Sequence, residues 1–233
     1  MYQKWRDLTF LHFAAEPDKI QKLVPPELTI DTFPDESGKE MAWIGLVPFR
    51  MQGIRFRGSP AIAGLSAFSE TNVRTYVHRG GKEPGVWFFS LEAANPVACA
   101  WARRFFNLPY FHARMSVNGL KGASIKVYKS ARVNNPQVKC SASVKFDHAL
   151  PTLQPGGFEF FLIERYLLYA DSNGELMTGQ VHHVPYTIHS ASQLVPCEES
   201  LLAASGIEAK PFTYVHYSPG VDVEVFSLKE VNN

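Results

Sequence analysis

The sequence predicts an α+β fold that is mainly β, and three observations predict it. Short stretches of strand character recur along the whole 233-residue chain, broken by its 16 glycines and 16 prolines. Stretches with the 3.6-residue period of a helix are few. Residues 70–77, ETNVRTYV, alternate strictly: Glu70, Asn72, Arg74 and Tyr76 share one face, and Thr71, Val73, Thr75 and Val77 take the other. With 45% hydrophobic residues, the chain can bury a sizeable core as a single domain over residues 1–233.

Taken in order, PDKIQKLVPPE opens a short helix at Pro17, with Ile20 and Leu23 inward, and Pro25 and Pro26 end it because proline cannot continue the ladder. MAWIGLVPF, residues 41–49, reads as a buried strand, and residues 53–64 as a loop. VWFFSL, residues 86–91, is apolar on both faces except at Ser90, as in a strand covered on both sides. The best helix follows: Asn95 is a favourable N-cap, Pro96 suits the first position, and no breaker intervenes before Pro109. On that helix Arg103 and Arg104 lie about 100° apart, so at most one of them faces a pocket.

Residues 113–117, 124–129 and 138–145 look like strands, the last setting Val138, Cys140, Ala142 and Val144 against a solvated Lys139 to Lys145 face. A Phe-rich block, FEFFLIERYLLYA, leads to a hairpin turn at residues 171–174 and a strand from Leu176 to His183. ESLLAASG is a short helix stopped by Gly206, and YVHYSPGVDVEVF gives two strands flanking a turn at Ser218 to Gly220.

The formal charge of +1 and the lack of a Lys/Arg-rich run argue against nucleic acid as a partner. No apolar run reaches the ~18 residues of a membrane helix, and Arg6 and Asp7 stand where a signal peptide would be apolar. The expectation is a cytoplasmic protein with no membrane partner. Cys99, Cys140 and Cys197 are too widely spaced for a CxxC-type metal site and too few for a disulfide framework. His182 and His183 are adjacent, so on a strand they point to opposite faces and cannot share one ion. No metal and no cofactor are expected, and the missing GxSxG, HExxH and Gly-rich phosphate-loop signatures weaken the case for an enzyme.

The residues alone leave two readings of the polar strand open. Glu70, Asn72 and Arg74 either line a closed cavity, with Arg74 offering a fork to a carboxylate and Glu70 acting as acid or base, or they form an ordinary solvent-facing or ion-paired strand. Tyr110, where the helix returns to a strand, either orients a carbonyl or packs as a structural aromatic. His112 shares its face in an extended segment and is its candidate partner near neutral pH. One of His182 and His183 faces inward with Gln180 or Tyr186, and Glu164 and Arg165, charges within an apolar block, either line the pocket or lock that block, with the lock preferred.

The segments LVPFRMQGIRFRG, FSETNVRTYV, GVWFFSLEAANPVACAWARRFFNLPY, FLIERYLLY, VHHVPY and VHYSPGVDVEVF together resemble the YqjF-like (DUF2071) family, bacterial proteins placed beside acetoacetate decarboxylase. The resemblance implies an acetoacetate decarboxylase-like antiparallel β-barrel with a few flanking helices around a cavity. It aligns Glu70 with the decarboxylase strand glutamate, Arg103 with its helix arginine, Pro109 with its proline, and Tyr110 with the Schiff-base lysine. Decarboxylation through an iminium needs an amine, which Tyr110 lacks. A displaced lysine such as Lys126 or Lys129 would have to enter the cavity from another strand, and nothing in the spacing recommends it.

The function so implied is binding of a small anionic or carbonyl compound, with Glu70, Tyr110 and His112 as candidate catalytic groups and Asn72, Arg74, Arg103, His182 and Tyr186 as ligand contacts. An alternative is a lyase, hydratase or isomerase that moves protons on a small keto or hydroxy acid. The partner is a small-molecule ligand or substrate, and a homo-oligomer is left open.

Overall fold

The computed structural model describes residues 1–119 and 124–231. In chain order these form β1 (Tyr2–Ala15), α1 (Pro17–Gln21), β2 (Thr29–Ile30), β3 (Phe33–Pro34), β4 (Glu40–Arg55), β5 (Phe68–Arg79), β6 (Lys82–Ala93), α2 (Pro96–Phe106), β7 (Tyr110–Asn118), β8 (Ile125–Arg132) and β9 (Lys139–Ala149). They continue through α3 (Phe158–Ile163), β10 (Leu167–Ser172), β11 (Glu175–His182), β12 (His189–Glu199), α4 (Leu201–Ala204), β13 (Tyr214–Val225) and β14 (Lys229–Glu230).

The protein is mainly β. Strands follow the order β14-β11-β10-β6-β7-β8-β9-β12-β13-β1-β4-β5-β2, and further pairings of β5 with β6 and of β11 with β13 close the path on itself. Closure removes most free strand edges, which would otherwise template aggregation. Pairing is antiparallel except where β6 meets β7 and β10 in parallel. Parallel neighbours need a long crossover, and between β6 and β7 that crossover is α2.

The wall built by β1, β4 and β5 separates two apolar cores. Phe10, Val47, Phe49 and Tyr76 belong to one of them. Phe13, Ile44, Leu46, Val73 and Val77 belong to the other. Both faces of β5 are therefore covered, and its alternation sorts residues between two interiors rather than between interior and water. β9 keeps the half-exposed pattern, with Cys140, Ala142 and Val144 buried and Lys139 and Lys145 exposed.

Helix α2 follows its sequence signals. Asn95 Oδ1 accepts from the Val97 and Ala98 amides at 3.0 and 3.1 Å, and Asn107 ends the helix in the left-handed region at φ 47°. The Asn95 Nδ2 also donates to the Gly64 and Leu65 carbonyls, tying the helix to the loop 56–67. Asn95→Ala is expected to cost about 1–2 kcal/mol, measured by urea denaturation, because both the cap and the tie are lost.

Three local expectations are corrected. Leu23 is exposed and Val24 is buried in its stead, because α1 ends at Gln21 before the helical period reaches Leu23. Strand β4 runs through Gly53 to Arg55, so the loop starts later than residue 53. Ser218 to Gly220 is no turn: β13 is continuous and stays paired with β1 on both sides of it. Gly220 sits at φ 129° with the Trp5 carbonyl so close that a Cβ would meet it at 2.0 Å, so the glycine permits a close backbone approach within the ladder. Cys140 and Cys197, distant in sequence, lie 3.9 Å apart as free thiols where β9 pairs with β12.

Candidate functional site

The interior face of β5 borders a cavity of about 330 Å³. Its walls are mostly aromatic and aliphatic, with Trp5, Phe49, Phe88 and Leu91 among them, and Glu70, Asn72, Arg74, Tyr110, Arg165 and Tyr186 supply most of the polarity. Alternation on β5 brings Glu70, Asn72 and Arg74 to one wall. Strand β6 lies between β5 and β7, pairing Ala93 with Glu70 and Leu91 with Tyr110, and this carries Tyr110 to the glutamate.

The Tyr110 hydroxyl donates to Glu70 Oε2 at 2.7 Å, and Asn72 Nδ2 approaches Oε1 at 3.4 Å. Burial pushes the Glu70 carboxyl up to about 7; the Tyr110 and Asn72 hydrogen bonds pull it down only in part, and the nearby Glu92 carboxylate adds to the rise. Burial, and then Glu70 itself, hold the Tyr110 phenol well above its ordinary range, so it stays a proton donor. Glu70 is thus the carboxyl that exchanges its proton near neutrality.

Arg74 occupies the next part of the wall. Its Nη2 donates weakly to Tyr76 Oη and the Leu162 carbonyl at 3.4 and 3.3 Å, and its Nε is buried with no hydrogen-bond partner. Among the described residues no carboxylate pairs with it. The guanidinium leans over Phe10 and Tyr76 at 5.5 and 5.6 Å. Behind it, His12 hydrogen-bonds Tyr76 Oη at 2.6 Å, and burial together with the Arg74 charge keeps that imidazole neutral.

Arg165, with its guanidinium 5.1 Å from the Tyr76 ring, pairs with Asp31 at 2.8 Å but leaves one buried Nη2 unpartnered. It is both a lock and a cavity residue, the two roles its sequence context leaves open. Glu164 is a lock alone, accepting from Tyr166 Oη at 2.7 Å and from the Tyr186 amide at 2.8 Å. Asn72 Oδ1 is a third buried atom without a partner.

Three candidates are not brought to this wall. Arg103 is exposed and donates back to the Cys99 carbonyl; α2 turns Val97, Ala98, Trp101 and Ala102 to the cavity and both arginines away from it. His112 is half-buried beyond the cavity edge, two residues farther along β7 than Tyr110. His182 is exposed, while His183 is buried, stacked on Tyr166 at 4.7 Å and bonded to the Val184 carbonyl. Gln180 is exposed too, and Tyr186 is the inward member of that segment.

No lysine lines the cavity among the described residues. Lys126 is held by Asp7 at 2.7 Å, in a cluster with Arg50 and Tyr217, and Lys129 is exposed. Nor do three or more His, Cys, Asp or Glu residues among those described gather as a metal site. No helix in this set is long and apolar enough to cross a membrane.

A closed path of strands around a chamber, with α2 crossing from β6 to β7, defines an acetoacetate decarboxylase-like fold. It superposes with a TM-score of 0.68 on the enduracididine biosynthesis enzyme MppR complexed with pyruvate, over 99% of this chain and 90% of that one at 12% identity. The acetoacetate decarboxylase of Legionella pneumophila gives 0.65 at 13% identity, over 99% and 87%. An acetoacetate decarboxylase-like enzyme from Sphingomonas wittichii RW1 gives 0.65 at 12%, over 99% and 92%. The chain belongs to the DUF2071 family of uncharacterized conserved proteins, which matches residues 2–222. It is 34% identical over 233 residues to the protein YqjF of Bacillus subtilis (strain 168), covering 99% of this chain and 92% of that one.

Proposed function

We propose that the protein binds a small organic anion in this cavity, a carboxylate carrying a nearby carbonyl or hydroxyl, without forming a Schiff base. The observation that carries the reading is Arg74, a cavity-wall guanidinium with no carboxylate partner among the described residues and a buried, unpartnered Nε. Arg74 is half-buried, and a ligand carboxylate would complete its guanidinium with two parallel hydrogen bonds. Asn72 Oδ1 and Arg165 Nη2 are further unmet groups on or beside the same wall. That MppR, which shares the fold, was solved with pyruvate bound agrees with an anion in this chamber.

A thermal-shift screen of short carboxylates and oxo acids against matched alcohols and amines tests it. Stabilisation is expected from the anions alone, and a hit list indifferent to charge overturns the reading.

Glu70 favours a second reading, proton transfer on a keto or hydroxy acid by a lyase, hydratase or isomerase. A carboxyl near pKa 7, bonded to a phenol that remains protonated, has an acid and base form available at neutral pH. Proton NMR of the bound acids in D₂O decides it: exchange of a carbon-bound proton that is lost in Glu70→Gln supports catalysis, and no exchange leaves binding alone.

A further inference from the structure

The mouth of the chamber lies at the start of β5, and Arg74 lies midway along the strand. The loop 56–67 joins the strand at Phe68, and Arg74 lies six residues along it, a span of about 20 Å at roughly 3.3 Å per residue. Glu70 and Tyr110 fall between them. The mouth is apolar and open to water: Phe56, Ile62 and Val97 are 57%, 59% and 58% exposed, and Leu65 is exposed beside them. All four line the same cavity as Arg74. Trp101 bridges the two sides, its ring 5.7 Å from that of Phe56. Exposed large apolar groups gathered at one opening mark something that covers them.

Resting on the reading of Arg74 as an anion site, we infer that the ligand is amphipathic: its acid group meets Arg74, and an apolar chain runs past Glu70 and Tyr110 to lie between the loop 56–67 and α2. A chamber of about 330 Å³ is in the range that takes drug-sized ligands, roughly 300–1,000 Å³. A three-carbon oxo acid at Arg74 would leave most of it, and the whole aromatic wall, unfilled. Apolar space of that kind rewards each added methylene. The four mouth residues give the chain's far end a surface to rest on. The substrate class is therefore a medium-chain or arylalkyl carboxylate, with an oxo or hydroxy group, where present, at the depth of Glu70.

Isothermal titration with butanoate, octanoate and dodecanoate, and with their 3-oxo counterparts, tests this. Affinity is expected to rise about fourfold per methylene through the series until the chain fills the mouth. Val97→Gln and Ile62→Gln, at exposed positions that tolerate a polar side chain, are expected to flatten that rise for the longer acids by tenfold or more. Equal affinity for short and long acids, with binding still dependent on Arg74, overturns the tail inference and spares the anion site. If no acid of any length binds, the anion site itself fails. Concentration-dependent self-association that disappears in Val97→Gln, with a flat chain-length series, assigns the apolar mouth to a second copy of the chain and likewise overturns the inference.

Discussion

Arg74→Ala is expected to weaken carboxylate binding by at least about 100-fold while leaving the unliganded protein folded. A guanidinium and a carboxylate joined by two charge-assisted hydrogen bonds lose about 1.5–3 kcal/mol per bond on truncation, and each ~1.4 kcal/mol is a factor of ten. The unliganded chain has little to lose. Arg74's two protein hydrogen bonds are long and reach a hydroxyl and a carbonyl, and no carboxylate among the described residues depends on it. Its removal also relieves the positive potential that it imposes on His12 and on Arg165. The midpoint of urea unfolding should therefore move by less than the equivalent of about 1 kcal/mol, in either direction.

Arg165→Ala is the contrasting variant. Its partner Asp31 and its contacts with the Phe161 carbonyl and ring are lost together, so stability falls along with binding. Arg74→Lys separates charge from shape: it keeps a cation but not the planar fork, and intermediate affinity is expected. Titration of the best carboxylate from the screen against all three proteins reads the outcome. Unchanged affinity in Arg74→Ala would remove the anion from this wall.

How far the sequence reveals this site follows from how local each feature is. Helix α2 was legible because its cap, its proline at the first turn and its stop are neighbours in the chain. The polar face of β5 was legible because alternation is local, but its destination was not. Val73 and Val77 facing a second core, rather than water, depends on β4 and on residues as distant as Leu201. Arg103 illustrates the limit of a helical wheel without neighbours: the wheel separates it from Arg104, yet only packing shows that Val97, Ala98 and Trp101 take the inner side. Both arginines then extend to solvent in the last turn, where they also suit the helix dipole.

His112 fails for a related reason. A period of two places it on the Tyr110 side, but the cavity ends at Tyr110, and where a chamber ends is a property of the whole sheet. The short helix α3 spans six residues, too few for a period to show, and it is α3 and the turn after it that set Arg165 beside Tyr76. The charged pair in the Phe-rich block was the available signal. Two adjacent charges in an apolar run need partners wherever they fall, and Asp31 and Tyr166 provide them.

Glu70→Gln is expected to be more stable than the parent protein at alkaline pH and to lose that advantage on acidification. In the unfolded chain Glu70 titrates near 4.5, and in the folded protein burial raises it to about 7. Between those values the folded state holds a proton that the unfolded state has released, so the stability associated with this group is fully present below about 4.5 and declines as pH rises through 7. At one pKa unit per 1.36 kcal/mol, the span is about 3 kcal/mol. Glutamine carries no charge at any pH and can still accept the Tyr110 hydroxyl hydrogen bond through its carbonyl oxygen. The difference between the two proteins isolates Glu70 from groups with the opposite sign, among them the buried His12, His183 and His216, whose lowered values make stability fall as pH falls below about 6.5. Urea unfolding of both proteins between pH 4 and 8.5 checks it: the gap should open across the window from 4.5 to 7 and level off above it. A gap independent of pH would mean that Glu70 titrates in the folded protein as it does in the unfolded chain, near 4.5, and the proton it is proposed to move would then not be held at this carboxyl near neutrality.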